Sequence, residues 1–209
     1  MFSPLDADLE RGWPGRIDGD RVIQLAAQTL QAFFTGGGVA REHAEYRLDH
    51  VVFRAPVLHP PSVRIFESDG DFRFANPAAI VGPEDVVRLP DGVDELVPVL
   101  RPAAVIGASG AIGGYTLMND WVAPSLAGTK AHDFAISLGP LVLTPDELEG
   151  LSLPAWASMM GVALQNTRLV PGDVVAAAGV PQDPVGAGAV VELDWPPFPF
   201  GVLRNTVER

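Results

Sequence analysis

Apolar and polar residues change places in short runs along this chain, and few runs are long enough for a helix. Gly15-Arg-Ile-Asp-Gly-Asp-Arg-Val-Ile23 sets an Asp-Gly turn between apolar flanks, which predicts a hairpin. From Val22 to Phe34, residues Ile23, Ala26, Ala27, Leu30 and Phe33 or Phe34 recur at helical spacing, and Gly36-Gly-Gly38 stops that run. Residues 50–65 read as a strand, a break at Pro60-Pro61 and a second strand through Val63 and Ile65. A further Asp-Gly turn, Asp69-Gly70, divides residues 66–75, and Asn76 to Pro83 reads as turn, short strand and turn. Leu96–Ile106 is strand-like, as is Tyr115–Met118, with Asn119-Asp120 at the end of the latter. Leu141–Thr144 forms a strand leading into Thr144-Pro-Asp-Glu147, which fits a capped helical turn. Trp156, Met159, Met160 and Ala163 predict a helix over 155–166. Leu169 to Asp173 turns into a strand over Val174–Ala178, and Val190–Leu193 and Phe200–Leu203 read as paired closing strands. Many short strands, few helices, no fixed-period repeat and no linker point to a rolled or closed sheet rather than a parallel α/β array.

Composition narrows this to one well-packed unit. A chain of 209 residues, 47% of them hydrophobic, can bury a large core. Its 22 glycines and 20 prolines are scattered, which suits turns between short strands. The net charge of −12, with no Lys/Arg cluster, repels phosphate backbones and argues against nucleic acid as a partner. With no cysteine, disulfides, thiolate metal sites and a Cys nucleophile are excluded. The acidic start, Met1-Phe-Ser-Pro-Leu-Asp-Ala-Asp8, lacks the apolar core of a signal peptide, and no uninterrupted apolar run approaches about 18 residues. The expectation is a soluble, cytoplasmic protein with no membrane partner.

The densest chemistry lies in Gly114-Tyr-Thr-Leu-Met-Asn-Asp-Trp121, followed by Lys130 and by Asp133-Phe-Ala-Ile-Ser-Leu-Gly-Pro140. Around it stand Ala55-Pro-Val57, Pro60-Pro-Ser-Val-Arg64, Asn76-Pro77, Val105-Ile-Gly107, Asn166-Thr-Arg-Leu-Val-Pro-Gly-Asp173, Val191-Glu-Leu193 and Leu203-Arg-Asn-Thr-Val207. In order and spacing these resemble the fumarylacetoacetate hydrolase family from about residue 12 to the C-terminus. The resemblance implies a mixed, mainly β fold: a β-roll or barrel with short helices over 56–209, behind a small N-terminal α+β module at 1–55. It also implies a homodimer, and an enzyme that cleaves, decarboxylates or tautomerises small enolisable diketones and 2-oxo acids on a divalent metal.

Much of the site that the resemblance implies is replaced. The family holds its ion with three carboxylates, two of them in the strand pattern Glu-x-Glu-Leu-Ala-x-Val-Ile-Gly, where alternate residues share a face. Counting back from Gly107 puts those two on Val99 and Arg101, while Asp120 matches the third. One carboxylate beside an arginine is a poor set for a hard cation. No tight metal is therefore expected; Asp120 is the ligand if Mg2+ or another divalent ion binds, and Glu95 is the one nearby substitute on that segment. Arg101 has two readings. Its guanidinium stands in for the metal and polarises a substrate carbonyl, or it forms a salt bridge with Asp120 that fills the vacated position.

Lys130 matches the family's active-site lysine and reads equally as a surface loop residue. Asp133 matches a family position as a turn or support residue, and with Tyr115 and Asn119 it is a candidate substrate contact. His132 lies beside the core motif and is a candidate substitute base or a solvent-facing loop residue, while His43, His50 and His59 lie in the N-terminal third. The family's lid helix with its His–Glu base has no counterpart: Ile65 stands at its Asp, and Phe66-Glu-Ser-Asp-Gly-Asp-Phe72 is too short and turn-rich. Pro124 replaces an Arg, and Ala176-Ala177 replaces a Gly-Thr pair. Glu67, Asp69 and Asp71 suggest calcium but lack the downstream Glu of a Ca2+ loop, so they read as a hairpin tip. Trp195-Pro-Pro-Phe-Pro-Phe200 is an interface patch or an edge strand broken by proline.

Three functions stand open. The first is an enzyme on a small enolisable 1,3-dicarbonyl or 2-oxo acid, of tautomerase, decarboxylase, cyclase or C–C hydrolase type. There Arg101 and Lys130 stabilise an enolate and Asp120 or His132 moves the proton, without a tight metal. The second is an inactive structural partner or small-molecule binder on the same fold. The third is an ordinary Mg-dependent hydrolase.

Overall fold

The computed structural model of the chain describes residues 1–7, 9–37, 39–68, 70–149 and 156–209, with side chains for all of these except 39–42. Its elements begin with β1 (Phe2–Pro4), β2 (Gly15–Asp18), β3 (Arg21–Ala26), α1 (Leu30–Phe34), β4 (Val39–Arg47) and β5 (Val51–Phe53). Next come β6 (Val63–Ser68), β7 (Asp71–Ala75), β8 (Ile80–Val81), β9 (Val86–Arg88), β10 (Glu95–Ile106), β11 (Ile112–Val122) and β12 (Ile136–Leu143). After α2 (Trp156–Leu164) follow β13 (Val174–Ala176), β14 (Val180–Pro181), β15 (Val185–Gly186), β16 (Val190–Leu193) and β17 (Leu203–Glu208). The main sheet runs β7-β6-β13-β10-β11-β12-β8, with β14 and β15 paired to the first half of β10, and it curls into a half-barrel. Smaller sheets are β2-β3-β4, β1-β5 and β16-β17-β9. No helix among the described residues is long and apolar enough to cross a membrane.

Strand β10 is the hub because it is apolar on both faces; every residue from Pro98 to Ile106 but Arg101 and the two prolines is hydrophobic, and all are buried. Side chains alternate between faces. On one face Ala103 and Val105 pack with Val63, Ile65, Met118, Ile136, Leu138 and Ala176. The other face divides into two clusters, Leu100 with Leu117 and Trp121, and Ala104 and Ile106 with Phe66, Trp156 and Val175. Pro98 and Pro102 lack an N–H, but their carbonyls accept from Gln182 N at 2.8 Å and Ala177 N at 3.0 Å, so both still anchor a neighbour.

Several local expectations change. The run from Val22 is not helical; it is β3, paired on both sides with β2 and β4. Val22, Ile23 and Leu25 are buried there, and pairing on two sides outweighs so short a helical spacing. The helix that follows has five residues, capped by Thr29 Oγ1, which accepts from Ala32 N at 3.0 Å. Strand β11 extends well past 115–118, so Asn119 and Asp120 lie inside it rather than at its end. The strand read at 141–144 already starts at Ile136, because β12 pairs with β11 from Asp120 onward. The closing strand begins at Leu203 rather than Phe200, whose ring is wholly buried and stacks on Phe198 at 5.7 Å. Gly38, Asp69 and Ala155, which bound three of the expected elements, lie outside the described residues.

Candidate functional site

Antiparallel pairing sets the site. Val99 lies opposite Asp120 across β10 and β11, and Arg101 lies opposite Met118, so Arg101 and Asp120 are diagonal neighbours on one face. Strand β7 adds Arg73, opposite Ile65 of β6 and on that same face. Glu67, two residues after Ile65, shares that face, beside a register slip between Phe66 and Ser68. His132 arrives on the turn after the 3-10 segment Gly128–Ala131.

Asp120 is wholly buried. Its Oδ2 accepts from Arg73 Nη2 at 2.5 Å and Arg101 Nε at 3.1 Å, with Arg101 Nη2 3.0 Å away. Arg101 Nη2 also donates to Glu67 Oε1 and Oε2, at 3.0 and 3.1 Å. Arg101 Nη1 donates to Phe66 O and Ala177 O, both at 3.2 Å. The donors of Arg101 are thus taken up by the protein itself. Gly179 makes room for this side chain, since a Cβ there would lie 2.6 Å from Arg101 Cγ and 2.7 Å from Val99 Cγ1.

Arg73 is more open. Its Nε donates to Glu67 Oε1 at 3.4 Å, and its Nη2 lies 3.4 Å from His132 Nδ1. Among the described residues its Nη1 has no hydrogen-bond partner. His132 Nδ1 is 4.0 Å from Asp120 Oδ1, a buried oxygen with no hydrogen-bond partner among the described residues. Burial first, and then the charge of Arg73, holds the His132 imidazolium below its ordinary 6.5, so the ring is neutral at pH 7. Two guanidinium groups thus balance two carboxylates.

Of the residues singled out from the sequence, Arg101, Asp120 and His132 come together. Lys130 does not join them; its side chain is 76% exposed and its Nζ pairs with Asp133 Oδ2 at 2.8 Å. Asp133 is further tied to the loop by its carbonyl, which accepts from Asn76 Nδ2 at 3.0 Å. Tyr115 projects from the opposite face of β11 to Asp120 and packs on Trp156 at 5.3 Å; burial pushes its phenol above its ordinary 10. Asn119 also points away from Asp120, and its Oδ1 accepts from Val99 N at 2.9 Å. Glu67 is a β6 residue just before the turn to β7, and its carboxylate reaches Arg101. Arg73 was not anticipated. Its signal was the single charge between aromatics in Asp71-Phe-Arg-Phe-Ala75, which gives that side chain a face of its own.

Neither a family model nor a curated protein sequence matches the chain. Solved structures do. Maleylpyruvate hydrolase from Sphingobium sp. SYK-6, in complex with manganese (II) ion and pyruvate, is 20% identical with a TM-score of 0.74, covering 94% of this chain and 96% of that one. The chain has the fumarylacetoacetate hydrolase-like fold. Two further structures share this fold. They are 5-carboxymethyl-2-hydroxymuconate delta-isomerase from Mycobacterium smegmatis (21% identity, TM-score 0.70, 94% of each chain covered) and 2-keto-3-deoxy-D-arabinonate dehydratase complexed with magnesium and 2,5-dioxopentanoate (15%, 0.75, 96% of each). Identities this low carry the fumarylacetoacetate hydrolase-like fold and not the roles of single residues.

Proposed function

We propose that the chain is an enzyme acting on a small enolisable 2-oxo acid or 1,3-dicarbonyl by enolate stabilisation, without a resident divalent ion. The observation that carries this reading is His132 Nδ1 3.4 Å from Arg73 Nη2, with Arg73 Nη1 left without a hydrogen-bond partner among the described residues. With the substrate carbonyl on Arg73, His132 takes the α-proton, the electron pair of that C–H bond forms the C=C bond, and the carbonyl π pair moves onto the oxygen. The guanidinium stabilises the resulting enolate. Asp120, beside both groups, holds Arg73 in place and faces the imidazolium as it forms. Return of the proton completes a tautomerisation; decarboxylation and ring closure pass through the same enolate.

Two of the solved relatives hold manganese or magnesium. The residues here do not fit such an ion. Asp120 Oδ2 already accepts from two guanidinium groups, and the oxygens of Glu67 are engaged by Arg101 and Arg73. A hard cation would need about six oxygens where two fixed positive charges stand. Among the described residues no group of three or more His, Asp or Glu is placed to hold a metal.

The engagement of Arg101 by protein favours a second reading, a non-catalytic small-molecule binder on this fold. Solvent deuterium incorporation into a panel of 2-oxo acids and 1,3-dicarbonyls, followed by proton NMR on chelator-treated protein, separates the two. The enzyme reading expects exchange that chelator leaves unchanged and that falls about 100-fold in His132→Ala. Exchange no faster than buffer selects the binder, and exchange restored only by added manganese or magnesium overturns the metal-independent reading.

A further inference from the structure

Glu67 stands apart from the other acid of the site. Its side chain is 58% exposed, yet its carboxylate lies against Arg101, whose side chain is only 4% exposed. Both its oxygens contact the same nitrogen, Arg101 Nη2, at 3.0 and 3.1 Å, and Oε1 also lies 3.4 Å from Arg73 Nε. A water-facing acid therefore covers a buried guanidinium and a half-buried one at once. It lies beside the register slip of β6, and its carboxylate contacts the two guanidinium groups.

We infer that Arg101 Nη2 and Arg73 Nε form an anion subsite for the carboxylate of a small 2-oxo acid or dicarboxylate, which enters by displacing Glu67. The ligand class rests on the proposed function of the same site. Exchange of one carboxylate for another keeps the local charge constant, so buried Arg101 never loses its counter-ion. Glu67 can leave without desolvation cost because most of its side chain already faces water. Glu67 reaches Arg101 Nη2 at 3.0 Å but Arg73 Nε only at 3.4 Å, whereas a planar ligand carboxylate free of the backbone can engage both arginines at full hydrogen-bond distance. A ligand seated there has its 2-oxo group beside Arg73 and His132. Glu67 is then an internal stand-in that sets how tightly the ligand binds.

Calorimetric titration of oxalate into the full chain tests this, because oxalate has no C–H to exchange and cannot report on turnover. Glu67→Gln is expected to bind oxalate at least about tenfold tighter than the unmodified protein, since the competing charge is gone. Glu67→Ala, at an exposed position that tolerates truncation, is expected to show the same gain. Adding Arg73→Gln to Glu67→Gln should abolish it, and oxamide, uncharged and of like shape, should show none. Equal or weaker oxalate binding in both Glu67 variants overturns the subsite, as does an equal gain for oxamide. A gain in oxalate affinity without any deuterium exchange would sink the proposed chemistry and leave the subsite standing.

Discussion

Arg64 and Arg101 project from opposite faces of the same sheet, and each meets a buried aspartate. Around Asp173 both oxygens are satisfied: Ser62 Oγ donates to Oδ1 at 2.6 Å and Val170 N to Oδ2 at 2.7 Å, with Arg64 Nη1 3.7 Å away. Arg64 also lies over the rings of Phe72 and Phe74, at 5.8 and 5.3 Å. That network joins β6 to the turn before β13 and holds no histidine. Around Asp120 two guanidinium groups crowd one oxygen, while the other has no hydrogen-bond partner among the described residues and lies 4.0 Å from His132 Nδ1. Arg64 Nε has no hydrogen-bond partner among the described residues, so the contrast lies in the two carboxylates. The one with both oxygens bonded staples the fold, and the one with an oxygen left over, beside the half-buried Arg73, is where a ligand has something to gain.

The sharpest way to break this contrast is to neutralise each acid. Asp120→Asn leaves Arg73 and Arg101 facing each other with Glu67 as their only anion, and is expected to cost about 3–5 kcal/mol in urea unfolding. Asp173→Asn, which leaves Arg64 its ring contacts and Ser62, should cost about 1–3 kcal/mol. Equal losses would erase the distinction.

Chemistry separates the two regions next. His132→Ala should reduce deuterium exchange about 100-fold while changing stability by less than about 1 kcal/mol. Arg64→Met should do the reverse, lowering the urea midpoint and leaving the exchange rate per folded molecule intact. Loss of exchange in Arg64→Met would mean that the stapling face also serves the site.

A pH series is a finer probe. The pKa of His132 is depressed below 6.5 in the folded chain by burial and by Arg73. The unfolded chain then binds the proton more readily, so the stability contributed by His132 is whole above pH 6.5 and is lost as pH falls through the folded value. Urea midpoints should therefore drop below pH 6.5, and His132→Asn should remove that part of the slope. Variants of the Arg64–Asp173 pair, which holds no histidine, should keep it. The smallest effect is expected at Lys130. Its exposed pair with Asp133 is worth less than about 0.5 kcal/mol, so Lys130→Ala should leave thermal unfolding nearly unchanged. A tenfold fall in exchange in that variant would return Lys130 to the site.

By itself the sequence determined the architecture and two members of the network. Proline breaks, Asp-Gly turns and the order of short motifs specify a mainly β roll, because turn chemistry and strand period are local properties. Counting back from Gly107 located Arg101, and the Asn-Asp-Trp run located Asp120, because one hairpin with a regular period of two carries both. The same period already separates Tyr115 and Asn119 from Asp120, each an odd number of residues away. Motif proximity suggested His132 and Lys130 alike; only the three-dimensional path of their turn sends one toward Asp120 and the other into solvent. Arg73 and Glu67 were decided by tertiary structure alone. They reach Arg101 through the parallel pairing of β6 with β13 and the antiparallel pairing of β13 with β10. Such non-local registers depend on which strands find each other in the folded sheet, and no run of residues in this sequence encodes that choice locally.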